Sequence, residues 1–332
     1  MAVHIFVVDE KNFDTCIRHG LAGMPKKTGN PSRDANTNEG LLSRMAIVKK
    51  NDLVLFYISK LKELHGVWKV LEYPFYDETH VWENEDGTTI YPYRVRIDNT
   101  EYNFMNPIKL NDLYDLRDNG VLWTFSLIRP NGTPNSMFSI TNTEYEEIQN
   151  LFLKINPFYT QPKQIREPYR YFEPNLRNQL CFDENLKPRY EYTLMALILN
   201  GFAHSQYKDI FGEYNDFVSY VPTSFGKEMD ILLLYNNPLV PKQTLAYNII
   251  EVKRDMFDED GMKQLLQYED WFFMKKVNGD YNAIRTTAIA SGFSDKVKDY
   301  LKKRKEYEGK EVLLLNYSVN QERELILKEE SI

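Results

Sequence analysis

Gly226-Lys227-Glu228-Met229-Asp230-Ile231-Leu232-Leu233-Leu234-Tyr235 and, further on, Ile249-Ile250-Glu251-Val252-Lys253 are the stretches on which the fold turns. Each is an apolar run of strand length with charge at one end. A carboxylate at the mouth of a buried strand costs free energy unless it is used. Side chains alternate along a strand, so Glu251 and Lys253 point to one face and Val252 to the other. If the two strands pair, Asp230 joins that face. Two carboxylates beside an ammonium make a place for a hard divalent cation and a water, Mg²⁺ or Mn²⁺ in its place. Such a site suits hydrolysis of a phosphodiester, with Lys253 orienting the water and offsetting charge on the phosphorus.

The neighbouring sequence alternates helix and strand. Pro188 opens a helix over 189–200 that Gly201 closes, with Glu191 in its first turn and able to aim at the same metal. Strands are expected at 217–221, 228–235 and 245–253, and a helix at 262–276. On that helix Gln264 and Tyr268 share one face. A strand over 283–291, a helix from the Ser294 cap to about residue 307, and strands at 312–319 and 325–328 complete the half. The 296–305 helix carries Lys296, Lys302, Lys303 and Arg304, read either as a solvated face or as a ridge for DNA backbone phosphates.

The first half reads as several strands with two helices, a small curved sheet or barrel. Strands are expected at 4–8, 53–58, 66–71 and 93–97, with helices from the Asp9 cap to Gly20 and over 39–47. Gly23-Met24-Pro25 is read as a loop before the second helix. Residues 156–177 carry Pro157, Pro162, Pro168 and Pro174, which forbid a long helix, and are read as a linker. That linker also holds basic and aromatic residues, either a stiff spacer or a strip that touches nucleic acid. The domains are therefore 1–155 and 178–332.

Composition sets bounds. The chain has 332 residues and a net charge of −7, which argues against coating nucleic acid by bulk attraction but not against a local basic groove. Two Cys make no disulfide framework, and the five His never reach zinc-ligand spacing. No Gly-xxxx-Gly-Lys-Ser/Thr is present, so ATP-driven translocation is not expected. The N-terminus meets charge at Asp9 and does not read as a signal peptide, and no apolar run is long enough to span a membrane; a cytoplasmic location is expected. The 4 Trp, 23 Tyr and 19 Phe are a heavy aromatic load, for cores or for stacking flat ligands.

Asp230, Glu251-x-Lys253 and Gln264-xxx-Tyr268, in that order, resemble the PD-(D/E)xK nuclease superfamily, and the Gln-xxx-Tyr element is typical of its RecB-like branch. The strand Thr286-Thr287-Ala288-Ile289-Ala290-Ser291 and the helix after it resemble NucS-type endonucleases. The resemblance covers about 175–320. It implies Asp230 and Glu251 as metal ligands, Lys253 serving the water, Glu191 as a third carboxylate (with Glu173 and Glu184 as alternatives), and Gln264 and Tyr268 orienting the lysine or a phosphate. The residue before Asp230 is Met229 rather than Pro, a departure common in the superfamily.

Lys49-Lys50-Asn51-Asp52-Leu53-Val54-Leu55-Phe56-Tyr57, Gly66-Val67-Trp68-Lys69-Val70, Tyr73-Pro74-Phe75-Tyr76-Asp77 and Tyr91-Pro92-Tyr93-Arg94-Val95 resemble the EVE domain of the PUA-like group. The resemblance implies a small barrel with an aromatic pocket for a modified, flipped base. Phe75, Tyr76, Trp82 and Tyr91, with Met24 and Asp77, are the candidates for it; Trp68 is read as core. The N-terminal Trp often seen in such domains is missing.

Together these readings give an α/β (α+β) protein: a PUA-like barrel with helices, then a restriction-endonuclease-like mixed sheet flanked by helices. The leading expectation is a homodimeric, metal-dependent endonuclease that cuts double-stranded DNA near a modified base, in restriction and defence. The alternatives are a repair nuclease for mismatched, branched or damaged DNA, a non-catalytic binder of modified nucleic acid, and an enzyme of RNA.

Overall fold

The first apolar run, β1 (Val3–Val8), ends at Asp9, whose carboxylate accepts from the Asn12 N–H at 2.8 Å and caps α1 (Glu10–His19). Gly20 closes that helix at φ 63°, a left-handed turn that glycine adopts without penalty. A computed structural model describes the chain apart from residues 84, 86, 87, 102, 103, 158–164, 171–175, 242 and 332. The chain divides into two mixed α+β units, Met1–Leu180 and Cys181–Ile332.

The first unit continues with β2 (Leu21–Lys27), α2 (Pro31–Met45), β3 (Leu53–Ile58), β4 (Glu63–Val70), β5 (Phe75–Tyr76), β6 (Thr89–Asn99), β7 (Ile108–Lys109), α3 (Leu110–Asp118), β8 (Met137–Ile140) and α4 (Asn142–Ile155). The sheet runs β2-β6-β4-β3-β1-β8, with β5 on β6 and β7 on β4, curled into a half-barrel. β1 pairs in parallel with β3, and every residue of β3 is buried, as its unbroken apolar run requires. Residues 23–25 form no loop. They lie within β2, antiparallel to β6, and the register shifts between Met24 and Lys26. Pro25 sits at that irregularity, where a missing N–H breaks no ladder bond. Thr141 and Glu144 build a reciprocal capping box at the start of α4.

The second unit holds α5 (Glu191–Ala203), α6 (Lys208–Phe211), β9 (Asp216–Pro222), β10 (Glu228–Asn236), β11 (Thr244–Val252), β12 (Met256–Phe257), α7 (Glu259–Lys275), β13 (Ile284–Ala290), β14 (Gly292–Phe293), α8 (Asp295–Glu308), β15 (Leu313–Val319) and β16 (Leu325–Glu329). Its six-stranded sheet runs β16-β15-β13-β11-β10-β9. β9, β10 and β11 are antiparallel neighbours, while β11, β13 and β15 run parallel. Ile231, Leu232, Leu233, Ile249, Ile250, Ala288 and Ile289 form its fully buried centre. α7 packs across β11 and β13, and α8 packs on α7. Among the described residues no helix is long and apolar enough to cross a membrane.

Candidate functional site

In the second unit, β10 and β11 pair with Ile231 opposite Ile250. One step further along the same register Asp230 stands opposite Glu251, so both carboxylates share a face. The Val252 N–H donates to Asp230 Oδ2 at 2.8 Å, and the Lys253 ammonium donates to Glu251 Oε1 at 2.6 Å. Glu251 is 0% exposed, and its second oxygen, Oε2, is buried with no hydrogen-bond partner. A buried carboxylate oxygen without a donor costs free energy that a cation would recover.

Titration follows from this crowding. Burial pushes the Glu251 carboxyl up to about 7, against the pull of Lys253. Burial, then repulsion from Glu251, raises Asp230 well above the usual carboxylate range. Lys253 is held protonated: burial works against its charge, but Glu251, Asp230 and Glu191 outweigh it and raise its pKa. Glu191 opens α5 at the surface, where its Oε2 accepts from the Arg254 N–H at 3.4 Å. The alternative Glu184 lies exposed in the turn before α5, and Glu173 lies outside the described residues.

Gln264 and Tyr268 meet as their spacing requires. Gln264 Nε2 donates to the Tyr268 hydroxyl at 2.9 Å, and that hydroxyl donates to the Glu228 carbonyl at 2.7 Å. These bonds run to the β10 backbone two residues before Asp230 rather than to the Lys253 ammonium. The pair thus fixes the strand that carries the carboxylate.

All the donors at this face are oxygens, which suits Mg²⁺. Among the described residues no three His, Cys, Asp or Glu side chains are gathered tightly enough to cage an ion as they stand. Mg²⁺ commonly takes one or two carboxylates and keeps several waters, so Asp230 and the Glu251 Oε2 atom still fit it.

On α8, Lys296, Lys302 and Lys303 are exposed, with Lys296 paired to Glu259 at 2.7 Å. Arg304 is not available to a phosphate. It is 5% exposed and pairs with the buried Glu269 of α7, because it falls on the helix face that packs inward with Val297 and Leu301.

In the first unit the candidate pocket residues differ in exposure. Met24, Phe75 and Trp82 are buried. Trp82 lies over Gly23, where an added Cβ would come within 2.8 Å of its ring. Its ring is 5.3 Å from that of Tyr91, and Tyr91 accepts from Asn12 Nδ2 at 3.3 Å. Tyr76 is half-buried and is tied to Glu78 and Lys26. Asp77 is half-buried as well.

Arg94 organises the cluster, and the motif reading missed it. Its side chain is fully buried. Nε donates to the Tyr91 carbonyl at 2.7 Å, Nη1 to the Tyr169 hydroxyl at 2.9 Å and Nη2 to the Thr79 carbonyl. Asp77 and Glu85 lie 3.8 and 3.9 Å from the guanidinium, and Trp82 presents its ring at 5.0 Å. The signal was present: an arginine between Tyr93 and Val95 inside an apolar strand is buried only when it is paired.

The EVE domain family matches residues 36–151, so the first unit carries an EVE domain. No curated protein matches this sequence. Among solved structures, a repair endonuclease from Pyrococcus abyssi is 18% identical over 35% of this chain and 45% of its own, with a TM-score of 0.26. This chain therefore spans less than half of that enzyme. The YTH domain-containing protein mmi1, solved with RNA, is 12% identical over 47% of this chain and 87% of its own, with a TM-score of 0.29. Human THYN1, solved with DNA containing 5-methylcytosine, is 13% identical over 46% of this chain and 98% of its own, with a TM-score of 0.27.

Proposed function

We propose that the protein is a metal-dependent endonuclease of PD-(D/E)xK type that cuts DNA near a modified base read by its EVE domain, in a restriction role. The observation that carries the reading is the meeting of Asp230, Glu251 and Lys253 at one end of β10 and β11, with Glu251 Oε2 buried and unmatched. Asp230 and Glu251 would hold Mg²⁺ or Mn²⁺, and Glu191, whose charge acts on both, would add a carboxylate through a water. When bound, the cation supplies Lewis-acid charge to the phosphate oxygens.

The chain's own residues do the rest. Lys253 keeps its proton beside two carboxylates and so brings a permanent positive charge to where phosphate charge builds. Tyr268 and Gln264 hold the Glu228 backbone and with it the position of Asp230. Cutting both strands needs two such sites, which a homodimer provides.

The test is digestion of modified and unmodified duplex with Mg²⁺, alongside mispaired and branched oligonucleotides and RNA. Selective cutting of modified duplex supports the reading. Equal cutting of modified and unmodified DNA removes the modified-base claim. A preference for mispaired or branched DNA gives the repair reading instead. Binding without cleavage of any substrate leaves a reader alone.

A further inference from the structure

Phe75, Asp77 and Arg94 already hold a ring, and it comes from the chain itself. Residues 165–170 form a strap on the end of α1. The N–H groups of Arg166 and Glu167 donate to the Arg18 carbonyl at 3.1 and 3.0 Å, and the Tyr169 N–H donates to the His19 carbonyl at 3.0 Å. The strap delivers the Tyr169 ring onto Phe75, centroids 6.2 Å apart and planes within 15°. Arg94 Nη1 donates to the Tyr169 hydroxyl, which in turn donates to Asp77 Oδ2. The Arg94 guanidinium also lies 5.4 Å from the ring.

A flat ring, stacked on an aromatic, with one donor and one acceptor satisfied at its edge: those are the demands of a nucleobase as well. Each base carries a donor beside an acceptor on its Watson–Crick edge, and protein sites read such edges while stacking the ring. We propose that Tyr169 is an intramolecular surrogate for a flipped nucleobase, seated in the Phe75–Asp77–Arg94 socket and displaced when a base enters. The proposal rests on reading the first unit as a base reader.

The socket is built to outlast its occupant. The Asp77 N–H donates to the Pro92 carbonyl at 2.9 Å, Asp77 Oδ1 accepts from the Thr79 N–H at 2.8 Å, and Arg94 is braced by Tyr91 and Thr79. The strap is held from the end of α1, by the bonds to the Arg18 and His19 carbonyls and by His19 Nδ1, 3.1 Å from the Glu167 carbonyl. Beside it lies a cavity of about 360 Å³ whose lining includes Ile165, Pro168, Tyr169, Leu71 and Arg96. None of residues 165–170 is buried, so lifting the strap gives up little packed core. An occupant seated about nine-tenths of the time lowers apparent affinity about tenfold.

The experiment uses the full chain in EDTA and measures fluorescence anisotropy with short duplexes. The probes carry one 5-methylcytosine, one N6-methyladenine or no modification. Tyr169→Ala is expected to bind its best duplex about tenfold tighter than wild type. Tyr169→Phe, which keeps the stack but loses both hydrogen bonds, should fall between them. Adding Phe75→Ala to Tyr169→Ala should abolish the gain. If wild type binds and Tyr169→Ala, melting cooperatively, binds equally or more weakly, the surrogate is overturned while base reading stands. If neither wild type nor variant binds any duplex, base reading itself falls and the surrogate with it. Should Tyr169→Ala fail to fold, Tyr169→Phe decides by the same sign.

Discussion

Two buried charge clusters, one in each unit, are built on opposite terms. Around Arg94 each guanidinium nitrogen donates to a named acceptor, and the Asp77 carboxylate accepts from Thr79 and Tyr169. Around Glu251 two carboxylates crowd one ammonium, and one oxygen faces no donor. The first cluster is closed upon itself and contributes to holding its unit. The second keeps a destabilising excess of negative charge at the end of an otherwise apolar sheet. Excess charge of one sign, kept where burial makes it costly, marks a place meant for a partner of the other sign. The closed cluster points to an occupant already present, Tyr169.

The sharpest way to break this comparison is to remove the carboxylates. Asp230→Ala or Glu251→Ala should lower cleavage about 10²- to 10³-fold, in line with the loss of a main electrostatic group in an active site. DNA binding in EDTA should be kept. Cleavage within tenfold of wild type in both variants would sink the proposed active site.

Removing a partner from a closed network should act on stability instead. Arg94→Met is expected to destabilise the protein by about 3 kcal/mol, because carboxylates then lose their buried counter-charge. Arg304→Met should do the same through Glu269. Urea unfolding of both variants measures it, and a loss below about 0.5 kcal/mol, the range of ordinary surface changes, would show these pairs to be incidental.

The clusters should also answer pH with opposite signs. Burial works to raise the Asp77 carboxyl, but Tyr169, Thr79 and Arg94 hold it below its usual 3.8. Its contribution is present above the unfolded value and lost as pH falls through the lower folded one. Glu251 goes the other way: its contribution is present below 4.5 and lost as pH rises toward about 7. Melting in EDTA should show Tyr169→Phe making the acid loss shallower, because the folded Asp77 value then lies nearer its unfolded one, and Glu251→Gln removing part of the loss between pH 5 and 8. The same slope in Glu251→Gln and wild type would contradict the assignment.

The smallest effects should come from α8. Lys296→Ala, Lys302→Ala and Lys303→Ala should each reduce DNA affinity about threefold or less. Each should also lower the salt slope by about 0.9 where the lysine neutralises one phosphate. An unchanged slope in all three would remove this face from the DNA interface.

Much of the second site was legible in the sequence because its logic is local. Strand alternation puts Glu251 and Lys253 on one side, and helix spacing puts Gln264 over Tyr268; both pairs are hydrogen-bonded. Pairing of β10 with β11 adds Asp230 with no further assumption. The first site was less legible because its members are distant in sequence. Tyr169 meets Asp77 across 92 residues and Arg94 across 75. The linker reading missed the strap, since prolines report the absence of a helix but not where a segment docks. The loop reading of Gly23-Met24-Pro25 failed for a similar reason: glycine there admits the Trp82 ring, a long-range need, and β6 supplies the pairing that local propensity does not.

By itself, then, the sequence determined the periodic things: which runs are strands, where Asp9, Gly20 and Ser294 bound helices, and which residues of one element share a face. These follow from backbone geometry that repeats every two or 3.6 residues. Only the tertiary structure decided which charges are satisfied. It buried Arg304 against Glu269, closed Arg94 around Tyr169, and left one oxygen of Glu251 without a donor. Such pairings depend on which distant groups share a dry space, and no local pattern encodes that.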